Sequence, residues 1–488
     1  MSPKNKPLEG GRIEAMTADA AAAGNPARRR TKAAEATAST QPWPAAKVAY
    51  YTVLLLILSL TSLQLDTNIV PYVAGKIKAD LHLSDTDLGA LLGFSFALFY
   101  TLVGIPMAWL IDRFSRKWII ALGIATWSLG TALCGMAQTY TQLFIARFVV
   151  GAGEAGNGPA SYSVLADLFP REKMPRAIAF MQLGSVIGPG LALVMSAFIL
   201  KAFLEMAPLA MPWGPLRGWQ LVLILVGLPG LVISLLMILT MKEPPRRSIQ
   251  GQVEGAAQAS GPFAAVEDYG IALAYMGRHW TVFAPMFGSL LVGSLRIGAL
   301  QWAPIFYQRT FHWAPPQVAM VQGVLQLVVM PVCLWIGVAI AERMAAKGQS
   351  DAAVRVQILG GAIGLVSMFN VLMPNAWLAF AFGAFGYAAI GIGAPSQNAA
   401  MQIVCPPEMR GKITSLFLFL YSVVGIGLSP ILIGWLTDYL FHAESMIRWS
   451  IFVPSVVLNP LSLLLVWLGL KPYGREVERL KALEAGAA

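Results

Sequence analysis

Runs of about 20 apolar residues recur between residues 48 and 470, each the length an α-helix needs to cross the hydrocarbon core of a bilayer. In lipid, backbone N–H and C=O groups must be satisfied inside the chain, so a span is either a helix or a strand of a closed barrel. The runs are continuously apolar rather than alternating, which selects helices. The chain is 57% hydrophobic and 12% charged over 488 residues, whereas about a quarter of a soluble domain is charged. These features predict an all-α membrane protein with twelve spans, at about 48–73, 87–111, 118–137, 141–165, 175–203, 219–241, 280–306, 317–341, 354–373, 376–404, 411–436 and 447–470.

The net charge of +10 is sorted by side. With the N-terminus placed in the cytoplasm, 27 of the 35 Lys and Arg fall in segments on that side, six on the other, and two, Arg147 and Arg296, inside spans. This is the positive-inside pattern of a protein with both termini cytoplasmic, as expected in a bacterial inner (plasma) membrane, and it is no footprint for nucleic acid. Cys134, Cys333 and Cys405 lie in or at the ends of spans, and His82, His279, His312 and His442 lie in loops or at span ends. Neither set has ligand spacing, so no metal and no cofactor is expected. None of Ser161, Ser185 or Ser289 has a histidine within plausible reach as a base, which argues against an enzyme.

Residues 1–46 have no hydrophobic period and read as a disordered cytoplasmic tail. Residues 47–241 make a first six-helix bundle and 280–470 a second, with a cytoplasmic linker over 242–279 and a tail over 471–488. In the linker, Phe263, Val266, Leu273 and Met276 have the spacing of an amphipathic helix lying on the inner membrane surface. The second bundle echoes the first at an offset near 240: GAGEAGNGPASYSVLADLF in the fourth span parallels GIGAPSQNAAMQIV in the tenth. Glu154 then falls opposite an apolar position near Ala394.

Four ionisable residues lie deep in spans: Asp66, Arg147, Glu154 and Arg296. A charge at the bilayer centre costs about 2.5–3.5 kcal/mol on insertion scales, so each reads as functional by default. Arg147 and Glu154 stand seven residues apart, two helical turns or roughly 10 Å along nearly the same face. Asp66 falls at a depth similar to that of Arg147, which predicts an ion pair, either a switch or a static packing bridge. Glu154 is either a proton carrier or a neutral, hydrogen-bonded group. Arg296 has no acid at its depth in its own half, so it is expected to bind the anionic head of a substrate or to meet Glu154 across the halves.

Several motifs then point to one family. GIPMAWLIDRFSRK, with Asp112, Arg113, Arg116 and Lys117, resembles the loop signature of the major facilitator superfamily, with Ser115 at its usual glycine. RFVVGAGEA followed by ADLF resembles the fourth helix of the spinster-like branch. GSVIGPG with Gly188 and Pro189 is similar to the superfamily's Gly-Pro motif, and RGWQLVLILVGLPG and KEPPR from Lys242 to Arg246 are similar to bacterial spinster-like chains. The resemblance covers 48–470 and departs at Thr67, where spinster proteins commonly carry arginine.

This resemblance implies the major facilitator fold, twelve transmembrane helices in two pseudo-symmetric six-helix bundles around a cavity lined by helices 1, 4, 7 and 10. It implies alternating access, with Asp66, Arg147 and Glu154 coupling transport to protons. Arg296, Asn68, Tyr72, Asn157, Gln301, Trp302, Gln397 and Asn398 would contact substrate. Asp112, Arg113, Arg116, Lys117, Gly188 and Pro189 would govern conformation. The function read from this is a proton-coupled secondary active transporter of an amphipathic organic anion, acting as a monomer in membrane lipid. Alternatives are coupling to sodium, export or flipping of a lysolipid- or sphingolipid-like molecule, and a non-transporting sensor on a transporter scaffold.

Overall fold

The computed structural model describes residues 43–170, 172–212, 214–246, 265–406 and 409–486. Most of the tail expected over 1–46 lies outside them, as does Phe263 of the linker. Six helical rods form the N-terminal half: α1 (Ala46–Leu81), α2 (residues 85–113), α3 (Arg116–Met136), α4 (residues 140–168), α5 (Met174–Phe203) and α6 (Gly218–Thr240). Six more form the C-terminal half: α7 (Trp280–Phe311), α8 (Pro315–Ala346), α9 (Ala352–Leu372), α10 (Ala376–Val404), α11 (Arg410–Leu440) and α12 (Ile447–Gly486).

Eleven of these rods are long and apolar enough to cross a membrane. The exception is α4, which breaks into Tyr140–Glu154 and Asn157–Leu168. Pro159 supplies the reason: it has no N–H to give the carbonyl of Ala155, so the helix loses a rung there. Helix α5 is likewise interrupted at Ile187, ahead of the Gly188-Pro189 pair. Polar caps start the rods. Ser84 Oγ accepts from the Asp87 N–H at 3.0 Å while Asp87 Oδ2 accepts from the Ser84 N–H at 3.1 Å, a capping box at the head of α2.

Glycines let the rods touch. A Cβ at Gly151 would lie 2.5 Å from the carbonyl oxygen of Phe96 in α2, and one at Gly153 would lie 2.6 Å from the backbone nitrogen of Trp127 in α3. The halves meet as closely, since a Cβ at Gly93 in α2 would lie 2.0 Å from the carbonyl oxygen of Ile426 in α11. A second crossing sets Gly190 of α5 against Gly323 of α8.

The core is distributed unevenly along the membrane normal. We call the end that carries Arg113 to Lys117 and Lys242 to Arg246 the basic end, and its opposite the outer end. Toward the outer end, one buried apolar cluster runs through both halves, from Ile69 and Leu91 to Trp302, Phe306 and Ile451. Toward the basic end the core divides into a cluster around Ile120 and Leu165 and another around Met401 and Ile413. The halves therefore share one apolar core toward the outer end and keep largely separate cores toward the basic end.

A two-stranded antiparallel hairpin, β1 (Leu209–Met211) and β2 (Gly214–Leu216), joins α5 to α6. The linker helix (Ala265–Arg278) packs on the C-terminal half, burying Ala272 and bringing the Tyr269 hydroxyl to 2.8 Å from Ser415 Oγ. Leu273, expected on the face turned to the membrane surface, is exposed. Residues 471–486, expected to be a tail, continue α12 as helix, with Tyr473 and Val477 buried and the Ser350 hydroxyl donating to Glu478 at 3.1 Å.

Candidate functional site

Asp66, Arg147, Glu154 and Asn157 are all at most 3% exposed inside the N-terminal half. Helix α1 supplies one wall of their site. Thr67 Oγ1 donates to Glu154 Oε1 at 3.2 Å, and Ser59 Oγ donates to Asn157 Oδ1 at 3.1 Å. The contact ion pair expected between Asp66 and Arg147 does not form. Neither carboxylate oxygen of Asp66 has a hydrogen-bond partner, Arg147 Nε has none, and no ion pair within 4.0 Å joins the two. The Arg147 guanidinium stands instead 5.8 Å from the centre of the Phe96 ring. It remains near enough to act electrostatically on both Asp66 and Glu154, and Thr131 and Trp127 are the other polar side chains facing Asp66.

A buried ionised carboxylate without a partner costs several kcal/mol. Two small events relieve that cost: a proton on Asp66, or a swing of Arg147 onto it. Thr67 was legible only as a departure from the family pattern, yet it is the residue that holds Glu154.

Arg296 stands apart from this cluster. It is half-buried in α7 and, among the described residues, forms no hydrogen bond or ion pair. It lines a cavity of about 250 Å³ with Gln357 of α9, Gln397 of α10, Tyr421 of α11 and Asn459 of α12. All of these belong to the C-terminal half. The expected meeting of Arg296 with Glu154 across the halves does not occur in this conformation.

The other residues expected around substrate are scattered. Gln397 lines the cavity, whereas Asn398 is exposed and Gln301 half-buried, neither of them on its wall. Trp302 is fully buried and its Nε1–H donates to the Pro430 carbonyl at 2.9 Å, a structural contact of α7 with α11. Asn68 turns back to donate to the Gln64 carbonyl at 2.7 Å. The Tyr72 hydroxyl donates to Gln322 Oε1 and so ties α1 to α8 across the halves. Asn157, buried with Ser59, belongs to the charge cluster.

At the basic end, Arg116 is the centre of the expected loop cluster, but its acids are not Asp112. Arg116 pairs with Asp167 at the end of α4 and, through Nε at 3.0 Å, with Glu243. Glu243 also accepts from Ser115 Oγ at 2.7 Å and from the Lys117 N–H at 2.7 Å, capping the head of α3. Burial alone would raise the Glu243 carboxyl, but these hydrogen bonds and Arg116 hold it below the usual range. Arg246 donates to the carbonyls of Ile111, Asp112 and Phe114, closing the end of α2. Arg113 lies 4.4 Å over the Trp109 ring, and the Asp112 side chain is exposed. KEPPR is thus a clamp on the α2–α3 turn, with its glutamate on one helix start and its arginine on one helix end. Gly188 packs α5 against Thr61 and Gln64 of α1.

The outer end carries a network that the sequence reading missed. The Asp85 side chain is fully buried and accepts two hydrogen bonds from Arg309 at 2.7 Å each, together with Lys78. Glu444 reaches Lys78 at 2.8 Å and Arg309 at 3.2 Å. Asp438 of α11 accepts from the backbone of Asp85 at 3.2 Å and of Thr86 at 2.7 Å, capping α2 from the opposite half. Among the described residues, every ion pair between the halves, Lys78 with Glu444 and Arg309 with Asp85, lies at this end. No sequence signal separated these residues from solvated loop charge, because the contacts that join the halves link positions more than 200 apart.

A model of the Major Facilitator Superfamily matches residues 54–430. An MFS-type efflux pump of Mycolicibacterium smegmatis is 26% identical over 416 residues, covering 83% of this chain and 89% of the pump. A probable galactarate/D-glucarate transporter of Bacillus subtilis is 23% identical over 413 residues, covering 80% and 86%. Among solved structures, a bacterial homolog to the human lysosomal transporter spinster, in an inward-facing and unoccupied conformation, superposes with a TM-score of 0.68. It is 22% identical and covers 89% of this chain and 98% of its own, a likeness of fold.

Proposed function

Because this chain belongs to the major facilitator superfamily, an integral membrane family of transporters, we propose that it is a proton-coupled secondary transporter of an organic anion working by alternating access. One observation carries the reading: Asp66, a carboxylate with no partner and no exposure, beside an Arg147 that is itself not ion-paired. With a proton, Asp66 is neutral and Arg147 is free to favour Glu154. Without one, Asp66 draws Arg147 to itself. The two states place a cation differently between α1 and α4, and α4 is already hinged one residue beyond Glu154. A difference of this kind biases one global arrangement over another.

The excess of basic residues supports placing the basic end in the cytoplasm of a bacterial cell, with both termini there. Arg296 supplies the charge for an anionic substrate. Likeness to a galactarate/D-glucarate transporter supports an anion, and likeness to a spinster homolog keeps lysolipid export as the rival reading. The test is counterflow in proteoliposomes loaded with unlabelled organic acids. Labelled acid accumulates with the parent chain and not with Arg296→Ala, while both proteins elute and melt alike. Equal counterflow by the two removes Arg296 from substrate binding, and absence of counterflow by the parent for every acid and lysolipid tried favours the sensor reading.

A further inference from the structure

We propose that the anion is seated inside the C-terminal half, in the cavity around Arg296, and that it is a compact organic monoanion. This rests on the reading above, in which Arg296 binds what is transported. Two hollows of about 250 Å³ and about 70 Å³ share Arg296, Leu300, Ile390 and Asn459. The Arg296 guanidinium therefore sits at the junction of a larger chamber toward Val466 and a smaller one toward Phe306 and Val371.

Size limits the occupant. At about 250 Å³ the larger chamber falls just below the roughly 300–1,000 Å³ of pockets that bury drug-sized ligands, room for a ring with a carboxylate but not for a whole lysolipid. Charge limits it further. Arg296 is the one cation among the residues lining either hollow. A second carboxylate would find no second cation on the wall, only neutral donors such as Gln357 and Asn459, and a buried charge without a charged partner is disfavoured. Gln357, Gln397 and Asn459 give the head or a ring heteroatom its remaining hydrogen bonds.

The internal repeat explains why the room exists. Ala394 and Gln397 stand 240 residues after Glu154 and Asn157. Where the N-terminal half is filled by a buried carboxylate, the C-terminal half has a methyl group on the cavity wall. The next position offers a clean probe. Gly393 lines the larger chamber, and a Cβ added there meets nothing within 4 Å.

Equilibrium dialysis of the full-length chain in detergent tests the inference, using labelled benzoate, nicotinate, D-glucarate and lauroyl lysophosphatidylglycerol. Benzoate or nicotinate is expected to bind saturably, with the dianion and the lysolipid at least about tenfold weaker, or 1.4 kcal/mol. Gly393→Leu should weaken the monoanion by a similar factor or more, and Asn459→Leu provides a second variant where the first does not fold. Unchanged affinity in these variants, with binding lost in Arg296→Ala, overturns the seat and leaves the transport reading standing. Tighter binding of glucarate or the lysolipid overturns the size and charge class. Binding of none of the four overturns the inference, and counterflow then tells whether the transport reading falls with it.

Discussion

Thr67 sits one residue after Asp66, and its hydroxyl is the donor to Glu154. The two neighbours thus serve different partners: Asp66 faces Trp127 and Thr131 of α3 near Arg147, while Thr67 reaches α4 directly. Thr67→Val keeps the shape and removes the hydroxyl, leaving a buried carboxylate short of one donor. A loss of about 1–3 kcal/mol in stability is expected, read as a lower melting temperature; an unchanged melt would mean that the bond is replaced locally. At this scale depth and charge marked Asp66, Arg147 and Glu154 in the sequence, and all three are buried. It did not tell how they pair, because helix phase and small rotations decide whether two charges at one depth touch. Arg147 faces Phe96 as well as Asp66, and nothing in the spacing distinguished the two.

Within single elements, the sequence was most legible where apolar runs and caps coincide, and least so where one residue breaks a run. The span drawn over 141–165 is interrupted because Pro159 removes a rung at Ala155, two turns after the basic residue that drew attention to the segment. The KEPPR segment was readable as a family mark, but its role as a clamp depends on its fold back onto the α2–α3 turn more than 120 positions earlier. Glu243 makes a testable element. Its carboxyl is held below the usual range, so its contribution is present above the ordinary glutamate value of about 4.3. That contribution is lost as pH falls through the lowered value. Glu243→Gln should lower the melting temperature at neutral pH and narrow its difference from the parent under acid conditions. A constant difference across the acid range would show that Glu243 acts by packing rather than charge.

For the whole molecule, two parallel six-helix halves were legible from the repeat, whereas the state of their closure was not. That state is fixed by contacts between distant parts of the chain: Asp85 with Arg309, Asp438 with the head of α2, and Gly93 under α11. Arg309→Gln leaves a fully buried carboxylate with Lys78 as its remaining ion-pair partner, so the loss should stay below the roughly 3–5 kcal/mol of a buried charge left wholly unpaired. The outer end should open more often. In a background with the three cysteines replaced, Tyr72→Cys should then react faster with an impermeant thiol reagent applied from outside, and an unchanged rate would mean that the apolar cluster alone keeps the end shut. The central claim is that Asp66 carries the coupling proton. It is tested most directly by imposing a pH gradient across proteoliposomes and following accumulation of an acid that the parent exchanges in counterflow. The parent should concentrate or expel the acid according to the direction of the gradient, and Asp66→Asn should exchange it without responding to the gradient. A gradient response in Asp66→Asn equal to that of the parent would contradict the account.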